Sequence, residues 1–172
     1  MIRHSGLRCL RLTLACALLA GLAAAATPSL SFTVTPRPAQ KQFQVTLRCA
    51  GLSAGFTDFE MPEWMPGYYR LMNYASHVSH FTARDAAGKA LGWEQVTPHT
   101  WRVVTAGAPE VELSYEVAPT RFFVAANSMD DHGAFIAPPG TFLYIPGRLS
   151  LPATVRIELP AAWHDIASGL AP

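Results

Sequence analysis

Apolar residues fall on every second position in three separate stretches: Leu30, Phe32 and Val34; Phe43, Val45, Leu47 and Cys49; Val111, Leu113, Tyr115 and Val117. Successive side chains of an extended chain point to opposite faces, so this repeat buries one face of a strand and wets the other. The same reading extends to Phe56, Phe59 and Met61 as a third strand. An extended segment over 77–84 turns through 85–89 into 91–96, and further strands fall at 100–104, at 142–145 and around Val155, Ile157 and Leu159. Pro and Gly separate these runs at intervals of roughly 8–12 residues. No 3.6-residue period lasts beyond two turns; the one short helical piece falls at 71–76. The pattern predicts an all-β fold, an antiparallel β-sandwich.

Residues 1–26 stand apart from that pattern. Arg3, Arg8 and Arg11 precede an apolar run over 12–22, and Ala24, Ala25 and Ala26 supply small residues ahead of Thr27. This is the layout of a secretory signal peptide cleaved after Ala26, which predicts a periplasmic or secreted protein. The run is shorter than the ~20 residues that span a bilayer, so no membrane anchor is expected after cleavage. Cleavage leaves a single domain over 27–172. Three of the 13 basic residues go with the leader, and the remaining ten against 12 acidic ones give a net charge of −2. That excludes the basic surface a nucleic-acid partner needs. Cys9 and Cys16 also leave, so Cys49 has no disulfide partner and reads as a small core residue.

One stretch is aromatic where a loop is expected. Over 61–78 the chain packs Trp64, Tyr68, Tyr69 and Tyr74 beside Glu63 and Arg70, around a corner at Pro66-Gly67. Pro66 fixes its own φ and Gly67 accepts φ > 0, which makes the turn sharp. Two readings stand: a corner tucked against a β core with its hydroxyls in water, or a loop that faces a ligand.

Trp64-Met65-Pro66-Gly67-Tyr68-Tyr69, followed by Arg70, Tyr74, Ala75, His77 and Val78, resembles the W-x-P-G-S-Y…R-x-Y-A-x-H-V signature of the glycyl aminopeptidase family of secreted zinc metallopeptidases, peptidase family M sixty-one. Tyr68 stands where the family usually has Ser. Weaker matches follow in order: Phe81, Ala83 and Gly88; Thr100-Trp101-Arg102-Val103; Tyr115-Glu116-Val117; Asp130 to Gly133 with Phe135; Pro160, Trp163 and Gly169-Leu170. The resemblance covers nearly all of the chain beyond its first thirty residues. It implies the N-terminal, non-catalytic β domain of such an enzyme, with the catalytic domain of the same parent protein as partner and a peptide as a further one. The ending at Ser168-Gly169-Leu170-Ala171-Pro172 looks like the middle of a connection, so a fragment, with a sandwich incomplete at its C-terminus, is expected.

Catalysis in that family resides on a helix bearing H-E-x-x-H, two His one turn apart that grip zinc beside a Glu that positions water. This sequence has no such motif, so no cofactor is expected in this chain and zinc is expected in the catalytic domain. His77 and His80 are three apart and lack the Glu. Asp130-Asp131-His132 before Gly133 reads as a solvated turn rather than a cation site. Ser128 with Asp130 and His132 offers the letters of a triad on one short segment, whereas triad members come from separate elements. The long connection over 118–140 is the least strand-like part of the chain, and such connections carry function or pack against something. If the domain borders a substrate cleft, the candidate contacts are Glu63, Trp64, Tyr68, Tyr69 and Arg70. Trp64, Tyr68 and Tyr69 would be stacking surface, with Arg70 or Glu63 meeting a peptide terminus. The alternatives are a self-standing periplasmic module that binds peptides or proteins by strand addition, and a small hydrolase built on the Ser128 segment.

Overall fold

The computed structural model describes residues 27–52, 54–105, 107–121 and 123–171. The leader, with its cleavage point after Ala26 and with Cys9 and Cys16, lies outside the described residues. Ten strands follow in chain order: β1 (Ser29–Arg37), β2 (Gln42–Ala50), β3 (Thr57–Glu60), β4 (Val78–Asp85), β5 (Trp93–Thr97), β6 (Thr100–Val103), β7 (Glu110–Val117), β8 (Ser128–Met129), β9 (Ala134–Phe135) and β10 (Ala153–Ile157). One sheet runs β10-β1-β2-β7-β4, a second runs β3-β6-β5, and β8 pairs with β9 as a small hairpin. The fold is all-β, a sandwich of largely antiparallel sheets. No helix among the described residues is long and apolar enough to cross a membrane.

The two-residue repeat places the core. Leu30, Phe32 and Val34 of β1, the four alternating residues of β2, and Val111, Leu113, Tyr115 and Val117 of β7 are all buried on one face of the larger sheet. Register aligns them across the strands: Val34 opposite Val45, Leu47 opposite Leu113, Val45 opposite Tyr115. Phe59, Met61, Trp101 and Val103 close the same core from the smaller sheet. Phe81 of β4 joins the two, stacked on Trp101 at 5.5 Å and on Tyr115 at 6.3 Å. Cys49 is fully buried, and burial pushes its thiol up to about 11, which suits an unreactive packing residue.

The structure differs from the strand reading in four places. β10 runs parallel to β1, and it ends at Ile157 rather than Leu159. Alternation marks a buried face but carries no direction, and the long connection after β7 brings the chain back in the same sense as β1. The expected strand at 142–145 is a single bridge, with Glu60 and Tyr144 exchanging both backbone hydrogen bonds at 2.9 Å. Pro138 and Pro139 before it and Pro146 after it deny the segment a longer ladder. The hairpin after β4 closes with one bridge, Arg84 to Ala90, and the chain then crosses to the other sheet as β5. The short helical piece is a 3-10 turn at Tyr74–His77. The 118–140 connection also holds the β8–β9 hairpin.

Across β3 and β6, Asp58 lies directly opposite Arg102, which donates Nε to Oδ1 and Nη2 to Oδ2, each at 2.8 Å. The guanidinium also covers the Phe56 ring at 4.5 Å. Hydrogen bonding from Arg102 holds the Asp58 carboxyl below the usual carboxylate range. A carboxyl lowered on folding stabilises the fold above its unfolded pKa and loses that contribution as pH falls through the folded one. Asp58→Asn will therefore flatten the fall in urea midpoint below about pH 4, with little change in the shape of the curve above neutrality; urea melts of both proteins across pH check this.

Candidate functional site

The aromatic corner grows directly out of β3. Met61 is buried and its N–H donates to the carbonyl of His99 at 2.9 Å, which ties the start of the corner to the β5–β6 turn. Met72 N–H donates to the Glu63 carbonyl at 2.6 Å and closes the loop over 63–72. Within it, Tyr68 N–H donates to the Met65 carbonyl at 3.0 Å with Gly67 at φ +83. Pro at the second position and a positive-φ Gly at the third is the sequence of a type II turn. The Trp64 indole N–H donates to the Tyr68 carbonyl and lays the half-exposed ring across that turn.

The five candidate residues part company here. Tyr68 and Arg70 line a cleft of about 230 Å³. Tyr69 projects fully into solvent, 100% exposed. Trp64 covers the turn and does not line the cleft. Glu63 turns back to His99, 3.4 Å from Nδ1, while Glu60 sits 3.4 Å from Nε2 of the same ring. The two carboxylates sit at opposite nitrogens, so no ion can be chelated by all three, and the buried Nδ1 makes no hydrogen bond among the described residues. Beside them, burial and then the Glu60 carboxylate push the Tyr144 hydroxyl up to about 12.

The opposite wall of the cleft comes from the 118–127 connection and the floor from buried residues. Arg121 lines it, its guanidinium 4.7 Å over the Phe123 ring, and Tyr68 meets the same ring edge-on at 5.4 Å. At the floor Tyr74 donates its hydroxyl to the Ala125 carbonyl at 2.7 Å. Burial raises that hydroxyl above its ordinary value. Asn127 is buried with both ends of its amide hydrogen-bonded. Its Oδ1 accepts from Ala137 N–H at 2.7 Å and Thr141 Oγ1 at 3.0 Å, and its Nδ2 donates to the Gly140 carbonyl at 2.9 Å. A Cβ on Gly140 would lie 2.7 Å from Tyr74 Cδ1, so only glycine lets the backbone rest on that ring. Arg121, Phe123 and Asn127 escaped the sequence reading; the only signal was the unusual length of their connection. A second groove, about 460 Å³, is lined by Phe81, Trp93 and Trp101 where β4 and β5 diverge.

The other chemical candidates stay apart. His77 ends the 3-10 turn and lines the cleft, whereas His80 sits in a β-bulge at φ 52 with Nδ1 2.8 Å from Glu116. The extended segment expected there is β4, which carries a register shift between Ser79 and Thr82. Asp130 spends Oδ1 on the N–H groups of His132 and Gly133, at 2.8 and 2.9 Å, and these bonds lower its carboxyl. It closes the β8–β9 turn, as an Asx residue does. Ser128 is buried in β8. Among the described residues no group of three or more His, Cys, Asp or Glu is placed to hold a metal.

Among solved structures the chain is similar to an aminopeptidase N family protein from Idiomarina loihiensis, with a TM-score of 0.72 and 20% identity over 77% of this chain and 22% of that one. At that identity the likeness is one of fold. The sequence is also similar to stromelysin-1 of Mus musculus, 31% identical over 102 residues, 54% of this chain and 19% of that protein. Stromelysin-2 of Rattus norvegicus is 29% identical over 94 residues, 52% of this chain and 20% of that protein. The chain spans about a fifth of the length of these curated relatives. The family model of the peptidase M61 N-terminal domain matches residues 31–172. Its sandwich, its corner and that continuous match agree: the chain belongs to the peptidase M61 N-terminal domain family.

Proposed function

We propose that this domain is non-catalytic and helps to shape the substrate cleft of a zinc domain, which supplies the catalysis. It is exported, with its leader cleaved after Ala26, and works in the periplasm or outside the cell. Zinc belongs to the catalytic domain of the same parent protein, which is the partner, and a peptide is the substrate; nucleic acid is not a partner. The observation that carries this reading is the corner itself. It is pinned at both ends by backbone hydrogen bonds, yet it presents a fully exposed Tyr69 beside a half-exposed Trp64. Aromatic surface held rigid and left uncovered by its own domain is suited to meeting another surface or a substrate. In a family member that carries both domains, alanine at the equivalents of Tyr69 and Arg70 will lower kcat/KM by about tenfold. An unchanged kcat/KM would remove the corner from the cleft.

A second reading has one observation in its favour. Every residue of β5 is exposed and its outer edge is unpaired among the described residues, which offers a place for strand addition by a peptide. It would make the domain a self-standing binding module.

A further inference from the structure

The cleft between the corner and the 118–127 connection carries two arginines, Arg70 and Arg121, and its lining holds neither Asp nor Glu among the described residues. Four other arginines in the domain are matched by carboxylates: Arg37 with Glu116 at 3.8 Å, Arg48 with Glu112 at 2.9 Å, Arg102 with Asp58 at 2.8 Å and Arg156 with Glu158 at 3.7 Å. Arg70 and Arg121 have no such partner among the described residues. Two unmatched cations sharing one concavity, on a chain whose mature charge is negative, make a local field that favours an anion.

The surroundings narrow the anion. The Arg121 guanidinium lies 4.7 Å from the centre of the Phe123 ring, and an arginine held over an aromatic face can still donate from its N–H groups. A planar fork of this kind matches a carboxylate, which it can hold through two parallel hydrogen bonds. The rest of the lining is mixed: Leu71, Met72, Ala118 and Ala126 give apolar surface between polar side chains such as Ser76 and Thr120, and the Tyr74 hydroxyl and Asn127 amide are bonded to protein partners. At about 230 Å³ the cleft is smaller than the ~300 Å³ at which sites for whole small molecules begin. It has room for the end of a chain.

We propose that this cleft binds the C-terminal carboxylate of a short peptide, with Arg70 and Arg121 as its two donors and the apolar residues Leu71, Met72, Ala118 and Ala126 meeting the last side chain. The proposal rests on the reading of the corner as peptide-facing and adds which end of the peptide it holds. Arg121 belongs to this site as much as Arg70 does, although it lies far from the corner in sequence.

Calorimetric titration of the full chain with N-acetyl-alanyl-alanine, with its C-terminal amide and with inorganic phosphate tests it. The free acid will bind, and the amide will bind ~10-fold more weakly or worse because the charge-assisted pair is lost. Arg70→Gln and Arg121→Gln will each weaken the acid by ~10-fold and leave the amide unchanged. Arg148→Gln, which alters an exposed arginine outside the cleft, will change neither. Equal affinity for acid and amide, no binding of either, or insensitivity to both cleft substitutions would overturn the proposal. Phosphate binding as tightly as the acid would overturn its peptide part. Carboxylate binding here with unchanged kcat/KM in the two-domain corner variants would remove the corner's role in turnover and keep this site; the reverse result would do the opposite.

Discussion

Replacing Asn127 by Asp will destabilise the domain by ~3 kcal/mol or more at neutral pH, although the two side chains have nearly the same shape. Asn127 is buried, and its Nδ2 is the group that donates to the Gly140 carbonyl. A carboxylate there sets oxygen against oxygen and places an uncompensated charge among Tyr74, Ala137 and Thr141. The carboxyl would be raised in the folded state, since burial and the facing carbonyl both favour its protonated form. By linkage the variant is least impaired below the unfolded carboxyl value of about 3.9 and loses stability as pH rises past it. Denaturant melts at pH 4 and pH 7 check both the size and the sign. A deficit that did not grow with pH would mean that the amide is not the pin holding the cleft floor.

Tyr115 is the second position where a large loss is expected. It is fully buried at the centre of β7, it stacks on Phe81, and its hydroxyl donates to the Thr141 carbonyl at 2.8 Å. Burial pushes that hydroxyl far upward, so it stays a donor across the stable range. Tyr115→Ala will cost ~3–5 kcal/mol through lost apolar burial and the cavity left behind. Tyr115→Phe keeps the ring and removes one hydrogen bond, which costs ~1–2 kcal/mol with the buried carbonyl left unpaired. The ratio of the two, read from urea unfolding, assigns most of the residue's contribution to packing. Comparable losses would assign it to the bond that ties β7 to the connection over the core.

These residues also mark where the fold was legible in the sequence. β1, β2 and β7 could be read from alternation alone, because each buries one face and wets the other. The Pro66-Gly67 turn was legible because its geometry is local: a fixed φ followed by a positive one. Direction was not, since a parallel β10 and an antiparallel one have the same pattern. Nor was the crossing from β4 to β5, where 91–96 reads as the return arm of a hairpin yet pairs with the other sheet. Leu143 and Ile145 are buried and alternate like a strand, but prolines on both sides leave room for one bridge only.

The site was half legible. Clustered aromatics drew the eye to the corner, and the structure places Tyr68 and Arg70 at a cleft, Tyr69 in solvent and Glu63 against His99. Arg121 and Asn127 carry no local signature, for their roles arise only when the 118–127 connection folds against a loop some fifty residues earlier. Nothing in their neighbours' spacing encodes that approach.

The proposed role is that of a domain that frames catalysis without performing it. The most direct measurement is the zinc content of the purified chain, dialysed after incubation with the metal, together with its activity on glycyl and alanyl amides. The account predicts no tightly held zinc and no turnover, because no set of its described side chains converges to grip the ion or activate water. Stoichiometric zinc that survives dialysis, accompanied by hydrolysis, would contradict it.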